Sequence, residues 1–241
     1  MLQSSLDPPA RGTKQSANRL LSRQPQTTKH RTRIDGSLAM KIHPTVVVEG
    51  DVSFGKDVQI GPNVCLYGPL DIGANCEIYP GAVIGSDPQH RSRRKLMGVK
   101  IGKGSVIREF VTVHAGIARQ TVVGEFAYLM AGSHVAHDCF LEENVTLANS
   151  ALLAGHCHVM RNANLGLNVS VHQYSVIGSY TMLGMGTVVH SRSRIEPGVV
   201  YIGNPSKPLR MNHLSMNRSH VELQELEDER KRFETLRKQM R

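Results

Sequence analysis

Residues 123–141 read VGEFAYLMAGSHVAHDCFL, with Val123, Leu129, Val135 and Leu141 six apart and the small residues Ala127, Ser133 and Cys139 falling midway to late in each interval. A period of six belongs neither to a helix, at 3.6, nor to an ordinary strand, at 2. Working outward, the apolar position continues through Leu147, Leu153, Val159, Leu165, Val171, Ile177, Leu183 and Val189 to Ile195. In the other direction it passes through Val113, Ile107 and Ile101, breaks, and resumes from Ile84 back through Ile78, Ile72, Leu66, Ile60, Phe54 and Val48 to Ile42. The small position keeps pace in Val145, Ala151, Cys157, Ala163, Val169, Ser175, Thr181 and Thr187. Hexads of this kind mark a parallel β-helix, an all-β solenoid in which one large and one small residue per hexad point inward.

Three hexads make a coil of 18 residues, so residues 18 apart should be stacked about 4.8 Å from one another. The repeats amount to about eight coils, a prism roughly 38 Å long at that spacing. The absence of Trp and the low aromatic content, 5%, fit an interior too narrow for rings. Cys76, Cys139 and Cys157 occupy small inward positions and Cys65 follows one, so all four read as core thiols. The net charge of +9 sits mostly in the tails, which argues against a nucleic-acid binder, since that needs a basic face on the folded body and stacking aromatics. No apolar run is long enough to span a bilayer, so membrane contact is at most peripheral.

Four segments fall outside the repeat. Residues 1–40, rich in Ser, Gln, Arg and Pro, read as a disordered N-terminal extension; an organelle transit peptide and an overlong start before Met40 are alternative readings. The coil itself is expected over 41–203. Within it, residues 85–98 must leave the prism as an external loop whose basic run suits a phosphorylated ligand, although a solvated charged loop reads the same way. A shorter break spans Ala115 to Thr121, and after the prolines of Asn204-Pro205-Ser206-Lys207-Pro208 a C-terminal segment, 204–241, should carry one short helix with Leu223, Leu226, Phe233, Leu236 and Met240 on one side.

Histidines crowd one stretch: His134, His137, His156, His158, His172 and His190. The 18-residue register puts His137 beside Gly155 and Asp138 beneath His156, a patch able to perform acyl transfer. An imidazole takes a proton from the attacking group, a carboxylate holds its tautomer, and a glycine N–H receives the oxyanion. A surface ladder of histidines, such as His172 over His190, is the competing reading.

The motifs Ser133-His134-Val135-Ala136-His137-Asp138-Cys139, Leu147-Ala148-Asn149, Leu153-Ala154-Gly155-His156, Val171-His172-Gln173-Tyr174, Ile107-Arg108-Glu109 and Val111-Thr112-Val113-His114 closely resemble the acyl-ACP:UDP-N-acetylglucosamine O-acyltransferases that open lipid A biosynthesis. The resemblance runs from about Lys41 to Arg218. It implies a left-handed parallel β-helix, a homotrimer with sites between subunits, acyl carrier protein and UDP-N-acetylglucosamine as partners, no cofactor or metal, and a cytoplasmic location. By similarity, His137 is the general base, Asp138 orients it and Gly155 supplies the oxyanion N–H. His134, His156 and His172 line the cleft, Gln89 and His114 lie near the nucleotide sugar, Asn212 contacts substrate, and Arg218 engages the carrier protein or the substrate.

Three departures accompany the resemblance. Gln89 is followed by His90-Arg91-Ser92, where the family has an Asp and then a Lys two residues later, so the acceptor is the sugar or its 3-amino analogue. Met185 stands where the family measures acyl length, which implies a shorter 3-hydroxyacyl donor. The C-terminal helical region is shortened. An acyl-CoA-dependent nucleotide-sugar acetyl- or acyltransferase, a zinc lyase of the γ-carbonic anhydrase type and a scaffold without activity are the rival readings.

Overall fold

In the hexads around the quoted stretch, each strand is two residues long, as in His134–Val135, Phe140–Leu141 and Thr146–Leu147, and the second residue points inward. Val135, Leu141 and Leu147 are completely buried, as are Cys139 and Val145 at the small position. Each fully buried aliphatic side chain contributes on the order of 1.5–3 kcal/mol, and the columns repeat that contribution at every rung. The computed structural model describes residues 41–91 and 96–240, together with the backbone of 32–34.

Apart from the final strand, strands pair only with the coil above and the coil below, giving three sheets of eight, ten and eight strands. Partners are 18 apart, as in Val135↔Leu153, Leu147↔Leu165 and Val159↔Ile177, all parallel. The solenoid is therefore the one the period predicts. At the two breaks the register jumps from Ile72 to Ile101 and from Ile101 to Val123, so both insertions leave the ladder intact and bulge from its corner. Cys76, Cys139 and Cys157 are buried free thiols; Cys65 is half-buried.

The structure corrects the boundaries at both ends. Thr32–Ile34 forms a strand in parallel with Val52–Phe54, so the first sheet begins inside the segment expected to be a disordered extension; the remaining expectations for residues 1–40 lie outside the described residues. After the last parallel strand, Val199–Ile202, the chain reverses and Lys207–Met211 pairs with it antiparallel. The prolines were expected to interrupt ladder pairing, yet Pro208 lies within that strand. An outermost strand needs no N–H on its free side, which is where a proline is tolerated.

Two helices follow where one was expected: α1, His213–Arg218, and α2, Leu223–Gln239. Leu226 and Phe233 of α2 are buried, the latter against Met160 and Val176 of the coil, with Leu236 and Met240 at the margin. Leu223, grouped with them in the sequence pattern, is 83% exposed. Ion pairs fix the helix: Arg161 reaches Glu225 at 2.7 Å and Glu229 at 2.9 Å, and Arg232 forks onto buried Glu142, which also meets His158 Nε2 at 2.6 Å. Among the described residues, no helix is long and apolar enough to cross a membrane.

Candidate active site

At the corner between the His134–Val135 strand and the Phe140–Leu141 strand, the chain must turn through a left-handed residue. Asp138 (φ 61°) takes that position, and one and two coils above it stand His156 (φ 62°) and Tyr174 (φ 60°). Three side chains of this corner are thus carried on residues whose backbone a β-carbon disfavours, held there by the pairing of the flanking strands.

His137 Nδ1 lies 2.7 Å from Asp138 Oδ2. A carboxylate only accepts, so the proton sits on Nδ1 and the Nε2 lone pair is left available to take another. Asp138 is completely buried, and its other oxygen, Oδ1, accepts from three successive backbone N–H groups: Ile117 at 3.0 Å, Ala118 at 2.8 Å and Arg119 at 2.8 Å. Arg119 Nε donates to the Asp138 carbonyl at 2.8 Å, and the Asp138 N–H donates to Thr121 Oγ1 at 2.9 Å. Burial alone would raise the Asp138 carboxyl, but the Arg119 N–H, the His137 ring and the Ala118 and Ile117 N–H groups outweigh it and hold the group below its ordinary value.

The three donors come from the short break at 115–121, and that break is braced by the longer loop. Met97 N–H donates to Gly116 O at 2.9 Å, while Gly116 N–H and Thr121 N–H both donate to Gly98 O, at 3.2 and 3.1 Å. A β-carbon at Gly116 would stand 1.6 Å from Arg119 O, so only glycine permits the turn that aims the donors.

Gly155 forms the floor under His137. A β-carbon there would come within 2.7 Å of His137 Cε1 and 2.8 Å of Nε2. Among the described residues nothing accepts from the Gly155 N–H, which is free to receive a developing oxyanion beside the base. His156 stands edge-on to His137 with ring centroids 5.1 Å apart, stacks on Tyr174 at 4.5 Å, and places Nε2 3.5 Å from Asp138 Oδ2. Burial pushes the His156 imidazole down despite the raising effect of Asp138.

His114 and His134 form a second pair, ring centroids 4.8 Å apart, with His134 Nδ1 2.7 Å from Thr112 Oγ1. Burial, then His134 and His137, push His114 down to about 4, and burial also lowers His134. His114 is 5% exposed, and its Nδ1 has no partner among the described residues. A largely apolar groove of about 460 Å³ climbs from this region, lined by His134, Leu152, Ala154, Val171, His172 and His190.

The structure thus gathers His137, Asp138, Gly155, His156, His134 and His114 at one corner, with His172 on the groove above. Gln89 is exposed in the external loop, whose residues 92–95 lie outside the described residues. Met185 is 73% exposed and does not line the groove in the single chain. Asn212 is buried and occupied: its side chain caps α1 by accepting from Ser215 N–H and donates to Tyr180 O at 2.8 Å. Arg218 is exposed at the end of α1. The sequence reading missed the N–H cradle, Thr121, Tyr174 and His90, although the break at Ala115–Thr121 lies one coil below Asp138 and the register alone could have pointed to it. His137, Asp138 and His156 offer donor atoms within 4.8 Å of one another, close enough for one metal ion, but Asp138 has its oxygens committed to the cradle and to His137.

Residues 51–86 match the bacterial transferase hexapeptide model of six repeats. The acyl-(acyl-carrier-protein)–UDP-N-acetylglucosamine O-acyltransferase of Halorhodospira halophila is 34% identical over 221 residues, covering 83% of this chain and 85% of the relative. That of Sinorhizobium fredii is 36% identical over 76% of this chain and 75% of its own length. The solved structure of the UDP-N-acetylglucosamine acyltransferase from Campylobacter jejuni superposes with a TM-score of 0.68 at 28% identity, over 86% of this chain and 84% of that one. With its solenoid, its histidine corner and these relatives in agreement, the chain belongs to the acyl-ACP–UDP-N-acetylglucosamine O-acyltransferase family.

Proposed function

We propose that this protein moves a 3-hydroxyacyl chain from acyl carrier protein to the 3-position of UDP-N-acetylglucosamine, the first step of lipid A biosynthesis, with His137 as general base. The observation that carries the reading is the His137–Asp138 pair set over Gly155: a base with a fixed tautomer beside a free N–H. The acceptor 3-hydroxyl, or 3-amine, attacks the thioester carbonyl while His137 Nε2 removes its proton. The oxyanion forms against the Gly155 N–H, the carbon–sulfur bond then breaks, and the imidazolium returns the proton to the departing thiolate. No step requires a cofactor.

In this reading the groove above Ala154 receives the acyl tail and His134, His156 and His172 line the reacting end. Gln89 and His114 lie toward the nucleotide sugar, and Arg218 meets the acidic carrier protein or the substrate. Asn212 acts by shaping α1 rather than by direct contact. Met185 enters the acyl site from a neighbouring copy in a homotrimer, where it shortens the chain accepted. The carrier-protein donor places the reaction in the cytoplasm.

Mass spectrometry of products formed from UDP-N-acetylglucosamine, its 3-amino analogue and a series of 3-hydroxyacyl-ACP lengths tests the reading. Acyl transfer that disappears in His137→Ala is expected. Transfer of acetyl from acetyl-CoA with no use of acyl-ACP, or full activity of His137→Ala, overturns it.

A further inference from the structure

We propose that His90, carried by the external loop, is a positioning residue that walls the open side of His137. The inference rests on the acyl-transfer reading above. The loop leaves the third sheet after the strand Val83–Ser86, whose Ser86 pairs with His114; the His137 corner lies one coil further up from His114. To reach His137 the loop therefore climbs about two rungs, about 10 Å. It does so with a tight reversal at Pro88–His90, where His90 N–H donates to Pro88 O at 2.7 Å. His90 arrives with its ring centroid 5.5 Å from that of His137 and an interplanar angle of 73°.

His137 is consequently bounded on every side that its function does not need open. Asp138 holds Nδ1, Gly155 underlies the ring, His156 stands perpendicular at 5.1 Å, and His90 stands nearly perpendicular on the solvent side. The His137 side chain is only 12% exposed although it sits on an outside corner, while His90 itself is exposed. Near-perpendicular rings at this distance attract through edge and face, and they restrict the turning of the His137 ring that would carry Nε2 away from the attacking group.

Steady-state kinetics of the full chain with 3-hydroxyacyl-ACP and UDP-N-acetylglucosamine tests the proposal in His90→Ala and His90→Phe. In His90→Ala, kcat should fall about tenfold, well short of the 100-fold that accompanies a 1 Å misplacement, with donor KM unchanged. His90→Phe should recover most of kcat, because it restores the ring. His90→Ala with the kcat of the parent overturns the proposal. So does a His90→Phe no better than His90→Ala. An unmutated protein inactive on every 3-hydroxyacyl-ACP overturns the acyl-transfer reading first, and this one with it.

Discussion

Replacing Gly155 by alanine separates the floor under the base from the oxyanion donor, because alanine keeps the N–H and adds only a methyl group. Gly155 does not have a left-handed φ, so the substitution brings no backbone strain. The methyl would lie 2.7 Å from His137 Cε1, against about 3.5–4.0 Å for a carbon–carbon contact, so the ring must shift by about 1 Å. The hydrogen bond to Asp138 is only 2.7 Å long and the ring is bounded by His156, so that shift breaks the alignment of Nε2. A 1 Å misplacement costs about 100-fold in rate, or about 2.7 kcal/mol of barrier. Folding should lose about 1–3 kcal/mol for the weakened hydrogen bond to a charged group, a fall of about 2–4 °C in unfolding midpoint for each kcal/mol. The assay is kcat in the acyl-transfer reaction alongside thermal unfolding of the same preparation. Parent-like kcat in Gly155→Ala would refute the reasoning, as would an activity loss that tracks a collapse in melting temperature.

Three further outcomes follow from the geometry. In Asp138→Asn, the three N–H groups that meet Oδ1 will hold the amide oxygen there and turn its NH2 toward His137; that enforces the wrong tautomer and should lower kcat about 10³- to 10⁴-fold without loss of secondary structure by circular dichroism. His114, held near 4 against an ordinary 6.5, binds its proton more readily when unfolded, so its contribution to stability is complete above about pH 6.5 and is lost as pH falls toward 4; urea titrations across that window should show a loss of up to about 3 kcal/mol, shallower in His114→Gln. Glu142→Gln leaves His158 and Arg232 without their shared anion and should lower stability by about 2–3 kcal/mol in urea, less than the loss at a fully buried pair because Arg232 is 43% exposed; no change would mean that the Arg161 ion pairs and the burial of Leu226 and Phe233 hold α2 without it.

The coil and the stacking of His137 on Gly155 were legible because both follow from arithmetic in the sequence: side chains 18 apart must meet when the ladder is regular. What lay outside that arithmetic is where the sequence reading fell short. Backbone donors carry no side-chain signature, so nothing in the letters Ile117-Ala118-Arg119 announces that their N–H groups converge on Asp138. Pro208 reads as a terminator because it cannot join an interior ladder, and it fails as one because the strand that holds it has a free outer edge. Leu223 fits the apolar stripe of α2 by spacing, but it is the first residue of the helix and its side chain meets solvent. Asn212 looks polar and available in sequence, whereas burial commits it to a helix cap.

A lattice of identical rungs has no addresses: each coil presents the same corner, and a histidine could be set on any of them. The paired interruptions, with Met97 and Gly98 bonded to Gly116 and the donors of Ile117–Arg119 aimed at Asp138, act as a dislocation that makes one rung unlike the rest. Transplanting the histidine and aspartate one coil along, to 155 and 156, would therefore carry the letters of the site without its location. The dislocation would have to migrate with them.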